Sequence, residues 1–88
     1  MKIERLITVF DNTTDLLESE INIDYIDLEQ LKRIFNPPSD DPLMYFIYEI
    51  KPDNVQLISV LLKDDIVFDF KAKSYSVECV QLPPYDFG

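Results

Sequence analysis

Few side chains in this sequence are equipped for chemistry. The segment DDIVFDFKAKSYSVECVQ, Asp64 to Gln81, holds the chain's only cysteine, Cys79, directly after Glu78 and close behind several aspartates. A nucleophilic thiol needs a nearby cation or a helix N-terminus to lower its pKa, and the nearest chain neighbour here is an anion. The sequence contains no histidine, so the usual general base at neutral pH is missing. Neither a Cys–His pair nor a Ser–His–Asp triad can be assembled. One cysteine cannot supply the several Cys or His ligands of an ordinary zinc site. The only glycine is Gly88, whereas phosphate-cradling loops, dinucleotide-binding turns and EF-hand loops all depend on internal glycines. A carboxylate pair such as Asp40 and Asp41 remains, but neighbours in a loop need not point at one site. With 17 acids in the chain such pairs arise by chance. The expectation is a protein without catalytic residues, metal or cofactor, and not an enzyme.

What the side chains do offer is charge. Seventeen acids face eight bases, giving a net charge of −9 and a pI near 4.2. Such a body repels phosphate backbones, so direct nucleic-acid binding is not expected. The same field speeds encounter with a basic partner. Eighty-eight residues read as a single domain, 1–88, able to bury about 60–65% of its unfolded surface. No apolar run approaches the roughly 18–20 residues of a membrane span. The opening MKIERLITVF has a glutamate where a signal peptide would stay basic, and it lacks a small-residue cleavage site. With one cysteine and no possible internal disulfide, the reading is a cytoplasmic protein.

The elements that position these charges follow from periodicity. Lys2 to Phe10 alternates as a strand, with Ile3, Ile7 and Val9 opposite Leu6, Thr8 and Phe10. After the turn cluster DNTTD, a second strand from about Leu16 to Ile23 completes a hairpin. DLEQLKRIFN is a helix, with Asp27 as N-cap, Gln30 closing a capping box, and an apolar stripe of Leu28, Leu31, Ile34 and Phe35. Asn36-Pro37-Pro38 stops it. LMYFIYEI, Leu43 to Ile50, is apolar on both sides and reads as a central strand. Pro52 starts a second helix with Val55, Ile58, Leu61 and Leu62 on one stripe. Ile66 to Phe70 and Tyr75 to Gln81 then read as a closing hairpin, with Cys79 on the side of Tyr75 and Val77. If that side faces inward, Cys79 is a small buried hydrophobe. The tail LPPYDFG cannot extend a central strand; it is either loose or an aromatic strap.

The order β-β-α-β-α-β-β predicts an α+β fold: one layer pair, a mainly antiparallel five-stranded sheet with both helices on one face. If the helices cover Met44, Phe46, Tyr48, Phe68 and Phe70, the other face presents Glu18, Glu20, Tyr45, Ile47, Glu49, Asp65, Val67, Asp69 and Glu78. Such a mixture suits a basic, partly apolar protein, with Tyr45 as anchor and Glu49, Asp69 and Glu78 as pairing groups. It is also what any solvated antiparallel face looks like. Asp40 and Asp41 could extend the contact, or could simply serve the turn.

Several stretches resemble a small bacterial family. They are Arg5, Ile7, Phe10, Asp11 and Thr14; Ile26 to Phe35; Asp41 to Tyr45; and Phe68 to Phe70 with Tyr75, Glu78 and Cys79. Some proteins of that kind look like immunity proteins of contact-dependent growth inhibition, which bind and block a toxin domain. The resemblance implies a cognate protein toxin as partner, a basic nuclease above all. It carries no catalytic or binding motif onto these residues. The readings from other classes are a non-catalytic interaction module or homodimer, and a hydrolase built on a carboxylate pair.

Overall fold

The computed structural model describes residues 2–82; the tail Pro83–Gly88 lies outside them. The elements run β1 (Lys2–Asp11), β2 (Leu17–Asn22), α1 (Leu28–Phe35), β3 (Tyr48–Glu49), α2 (Pro52–Ser59) and β4 (Lys73–Leu82). The chain is α+β, with an open four-stranded antiparallel sheet ordered β2-β1-β4-β3.

β1 and β2 form the expected hairpin, Thr8 opposite Glu20 and Ile7 opposite Ile21, with a register shift between Val9 and Phe10. At the tip, the Asp11 carboxylate accepts the N–H groups of Thr13 at 2.7 Å and Thr14 at 3.1 Å. These bonds hold its pKa below the usual carboxylate value, with weaker help from Lys73. The main pairing is long-range. All ten residues of β1 lie against β4, from Lys2 opposite Leu82 to Asp11 opposite Lys73.

That pairing decides where the fifth expected strand goes. A strand has two edges, and β4 gives one to β1 and the other to β3, through Tyr48 opposite Val77 and Glu49 opposite Ser76. At residues 75–77, where a hairpin with 66–70 would pair, that edge is already taken by Tyr48, Glu49 and Ile50. The segment is irregular instead. The Tyr75 hydroxyl accepts the Asp69 N–H at 3.0 Å, and the Asp69 carbonyl accepts the Lys73 N–H at 2.9 Å. Phe68 and Phe70 still reach the core by packing edge-on to the Tyr75 ring, with centroids 4.8 and 5.5 Å away. The sequence pattern reported burial correctly and backbone pairing incorrectly.

The third expected strand is also cut short. Of Leu43–Ile50, only Tyr48 and Glu49 are strand. The preceding residues wrap around Asp41. Its carboxylate accepts the N–H groups of Tyr45 at 2.7 Å and Phe46 at 3.0 Å, and the Tyr48 hydroxyl. Met44 takes a left-handed conformation, φ 55°, to close the turn. The Arg5 guanidinium clamps it from β1, with Nη2 2.6 Å from the Leu43 carbonyl. Met44 is buried as expected, but Phe46 is turned out to 52% exposure.

Cross-strand partners share a face, so Ile7, Val9, Ile21, Tyr48, Tyr75 and Val77 lie together. These residues form one core with Leu31 of α1, Ile58 of α2, and Ile23, Ile26, Met44 and Ile50. α1 starts without the expected side-chain box. Asp27 caps through its backbone carbonyl, which accepts the Gln30 and Leu31 N–H groups at 3.1 and 3.2 Å. The helix ends on Asn36, left-handed at φ 51°, whose N–H reaches the Lys32 carbonyl at 2.8 Å. α2 opens with Pro52, and Asn54 Oδ1 accepts the Lys51 N–H at 2.9 Å.

Candidate docking face

The register places the acidic residues. Thr8 lies opposite both Glu20 and Ser76, and Ser76 lies opposite Glu49. One row therefore crosses all four strands on the face away from the core: Glu20, Thr8, Ser76, Glu49. The next row runs Asn22, Leu6, Glu78. Glu4 follows, opposite Val80, and its carboxylate accepts the Asn22 amide at 2.8 Å. Four carboxylates, from Glu4, Glu20, Glu49 and Glu78, thus share this face, with Lys2 at one end. The centre is firm: Leu6 and Thr8 are buried, and the Thr8 hydroxyl donates to Glu78. Among the described residues the ion pairs are Lys32–Glu29 at 3.7 Å and Lys73–Glu18 at 3.1 Å. None of the four shared carboxylates is in either pair.

Of the residues expected to meet a partner, Glu49 and Glu78 are brought together here. Asp69 is not. It lies in the irregular segment at the opposite end of β4, tied to the phenol of Tyr75, which faces the core, and its Oδ1 accepts the Lys71 N–H at 3.2 Å. Asp41 is a correction: it is 3% exposed and acts inside the fold. Burial works against its ionisation, but the bonds from Tyr48, Phe46 and Tyr45, with Arg5 beyond them, win and hold its pKa below 3.8. The same contact, after burial itself, pushes the Tyr48 phenol up to about 12, with Asp40 adding to the local negative field. Asp40 and Tyr45 are exposed on the loop that carries this turn, Tyr45 at 45%. They sit at the rim of the β3 side rather than on the open face.

Cys79 lies opposite Arg5 on the core side of β4, half-buried. Burial raises its pKa more than Arg5 lowers it, so the thiol stays protonated near neutrality and is a poor nucleophile. Among the described residues no group of three or more Cys, Asp or Glu side chains is arranged to hold a metal ion. No helix there is long and apolar enough to cross a membrane.

An apolar strip lies before β3; the sequence reading turned Tyr45 and Ile47 outward but not Leu43 and Phe46. Leu43, Tyr45, Phe46 and Ile47 are 45–66% exposed in succession. Beside them a groove of about 340 Å³ opens between Ile34 and Phe35 at the end of α1, residues 47–49, and Lys51 and Asn54 at the start of α2. The left-handed turn at Met44 creates this strip, and nothing in the alternation of LMYFIYEI announces such a turn.

Fold and site together define a small acidic α+β domain with an open antiparallel sheet and a row of carboxylates on the face away from the core. The chain belongs to a family described as a domain of unknown function (DUF7683), whose model matches residues 4–78. No curated protein matches it.

Proposed function

We propose that this chain is an acidic docking domain that neutralises a basic protein by contact, in the manner of an immunity protein holding a toxin domain. The observation that carries the reading is the cross-strand row from Glu20 to Glu49 with Glu78 beside it. These are carboxylates on a rigid strand scaffold, with no cation paired to them among the described residues. A nuclease groove is basic because it holds phosphate, so a nuclease is the partner class with matching charge. Such a domain could fill that groove or block its entrance. Neither mode needs turnover, a metal or a cofactor, and both would operate in the cytoplasm where such a toxin acts. A homodimer through the same face would set like carboxylates against each other at a net charge of −9 per chain, which disfavours it.

The test is co-expression. The product of the adjacent reading frame is expressed alone, with this chain, and with its Glu20→Lys/Glu49→Lys/Glu78→Lys variant. The reading requires growth arrest alone, rescue by the wild type and loss of rescue by the variant. An adjacent product that is harmless, or rescue that survives charge reversal, would count against it.

A further inference from the structure

β4 has an unfinished edge. All ten of its residues lie against β1 on one side. On the other side, β3 and Ile50 occupy it only from Tyr75 to Val77. The Ile50 N–H donates to the Tyr75 carbonyl at 2.8 Å, so Tyr75 turns its backbone groups toward β3. By alternation Cys79 and Gln81 turn theirs the same way, and they have no backbone partner there among the described residues. Continued in register, β3 would set Phe46 opposite Cys79 and Met44 opposite Gln81. Both donors are committed elsewhere, to one residue. The Phe46 N–H goes to the Asp41 carboxylate at 3.0 Å, and the Met44 N–H to the Asp41 carbonyl at 3.1 Å. Asp41 thus holds the two amides that would close the edge.

We propose that residues 43–47 are a latched extension of β3: released from Asp41, they pair along β4 and carry Tyr45 and Ile47 onto the carboxylate face. The composition of Leu43–Ile50 favours a strand. The turn is held against that preference by the Asp41 carboxylate, through Tyr45, Phe46 and Tyr48, and by the Arg5 bond to the Leu43 carbonyl. What the turn gives up is visible beside it. Met44 sits in the left-handed region at φ 55°, uncommon for a residue with a side chain, and Phe46 is left exposed. In the extension Met44 and Phe46 fall on the core side with Tyr48, by alternation. Ile47 comes opposite Glu78 and Tyr45 opposite Val80, both on the open side of β4. The carboxylates then acquire an aromatic anchor. A partner that contacts Tyr45 there shifts the equilibrium toward the extended state by that contact. This use of the extension rests on the proposed docking function; the rearrangement itself does not.

The experiment is cross-linking within the full chain, with no partner present. Cys79 is the only native cysteine, so a second thiol reports what reaches it. Phe46→Cys and Ile47→Cys each introduce one at an exposed position. In the extension the first lies directly opposite Cys79, at the Cα spacing of about 5.5 Å of a hydrogen-bonded pair, which a disulfide can span. The second points to the other face of the sheet. With oxidised glutathione at mildly alkaline pH, Phe46→Cys should form the internal disulfide at least about tenfold faster than Ile47→Cys. Adding Asp41→Asn should speed it by about a further tenfold, the worth of one backbone bond to a charged group. Equal rates in the two variants would mean a loose loop, and no disulfide in either would mean a fixed turn. Both overturn the extension, as does a rate indifferent to Asp41→Asn. Each of these results leaves the co-expression test of docking unaffected. A failed co-expression test with the Phe46→Cys cross-link still preferred would remove the toxin reading and keep the latch.

Discussion

At the scale of single residues, Asp41 is a buried carboxylate that organises the turn leading into β3. Adjacent to Asp40 in a proline-flanked loop, it looks like surface. In the fold it accepts two backbone N–H groups and a phenol, and it fixes the turn that feeds β3. A carboxylate with a lowered native pKa binds fewer protons folded than unfolded, so its stabilisation is complete above about pH 5. It is lost as pH falls through and below 3.8, and Asp11 behaves in the same way. Asp41→Asn should therefore lower Tm at pH 7 and flatten the acid side of a Tm-against-pH curve. An unchanged acid limb would mean that the carboxylate is not the anchor. Tyr48 gives the opposite sign. Its phenol is raised from 10.0 to about 12, so its contribution holds below pH 10 and fades as pH climbs toward 12. An alkaline absorbance titration of Tyr48→Phe should lack the phenolate step near pH 12 that the parent shows.

At the scale of elements, backbone conformation sets the ends. Asn36 closes α1 at φ 51° and Asp15 turns the first hairpin at φ 59°, both left-handed. Asn36→Gly should leave chemical stability equal or slightly higher. Asn36→Val should cost about 1–2 kcal/mol, because a branched side chain disfavours that region; denaturant melts of the two variants provide the comparison. These elements were unequally legible in the sequence. β1, β2, α1 and the inward side of β4 followed from periodicity; α2 did so only in part, stopping at Ser59 short of the expected Leu61 and Leu62. The segments 43–47 and 66–70 did not, although their composition is that of strands. Periodicity reports which side chains are buried, whereas strand pairing depends on which edges remain free. One edge of β4 was taken by β1, and the stretch at Tyr75 to Val77 on the other by β3 and Ile50, all far away in sequence. The turn around Asp41 was invisible for a related reason: it rests on a phenol seven residues on and on Arg5, which holds it from β1.

At the scale of the whole molecule, the charge reading and the sheet register converge on one face. Composition supplied the net charge of −9, and alternation put Glu20, Glu49 and Glu78 on a common side. Only the strand order β2-β1-β4-β3 makes them neighbours. The same order separates Asp69 from them, and the fold buries Asp41. Of the exposed apolar residues from Leu43 to Ile47, alternation turned Tyr45 and Ile47 outward, whereas the exposure of Leu43 and Phe46 emerges only from the fold. A face with fixed carboxylates and few cations should bind through fast, salt-sensitive encounter. The most direct measurement is the association rate with the product of the adjacent reading frame, the proposed toxin partner, across a salt series, for the parent chain and for Glu20→Lys/Glu49→Lys/Glu78→Lys. The account predicts a steep fall with salt in the parent, and in the variant a rate lower by about tenfold or more at low salt with little salt dependence left. Matching rates and matching salt slopes for the two proteins would contradict it.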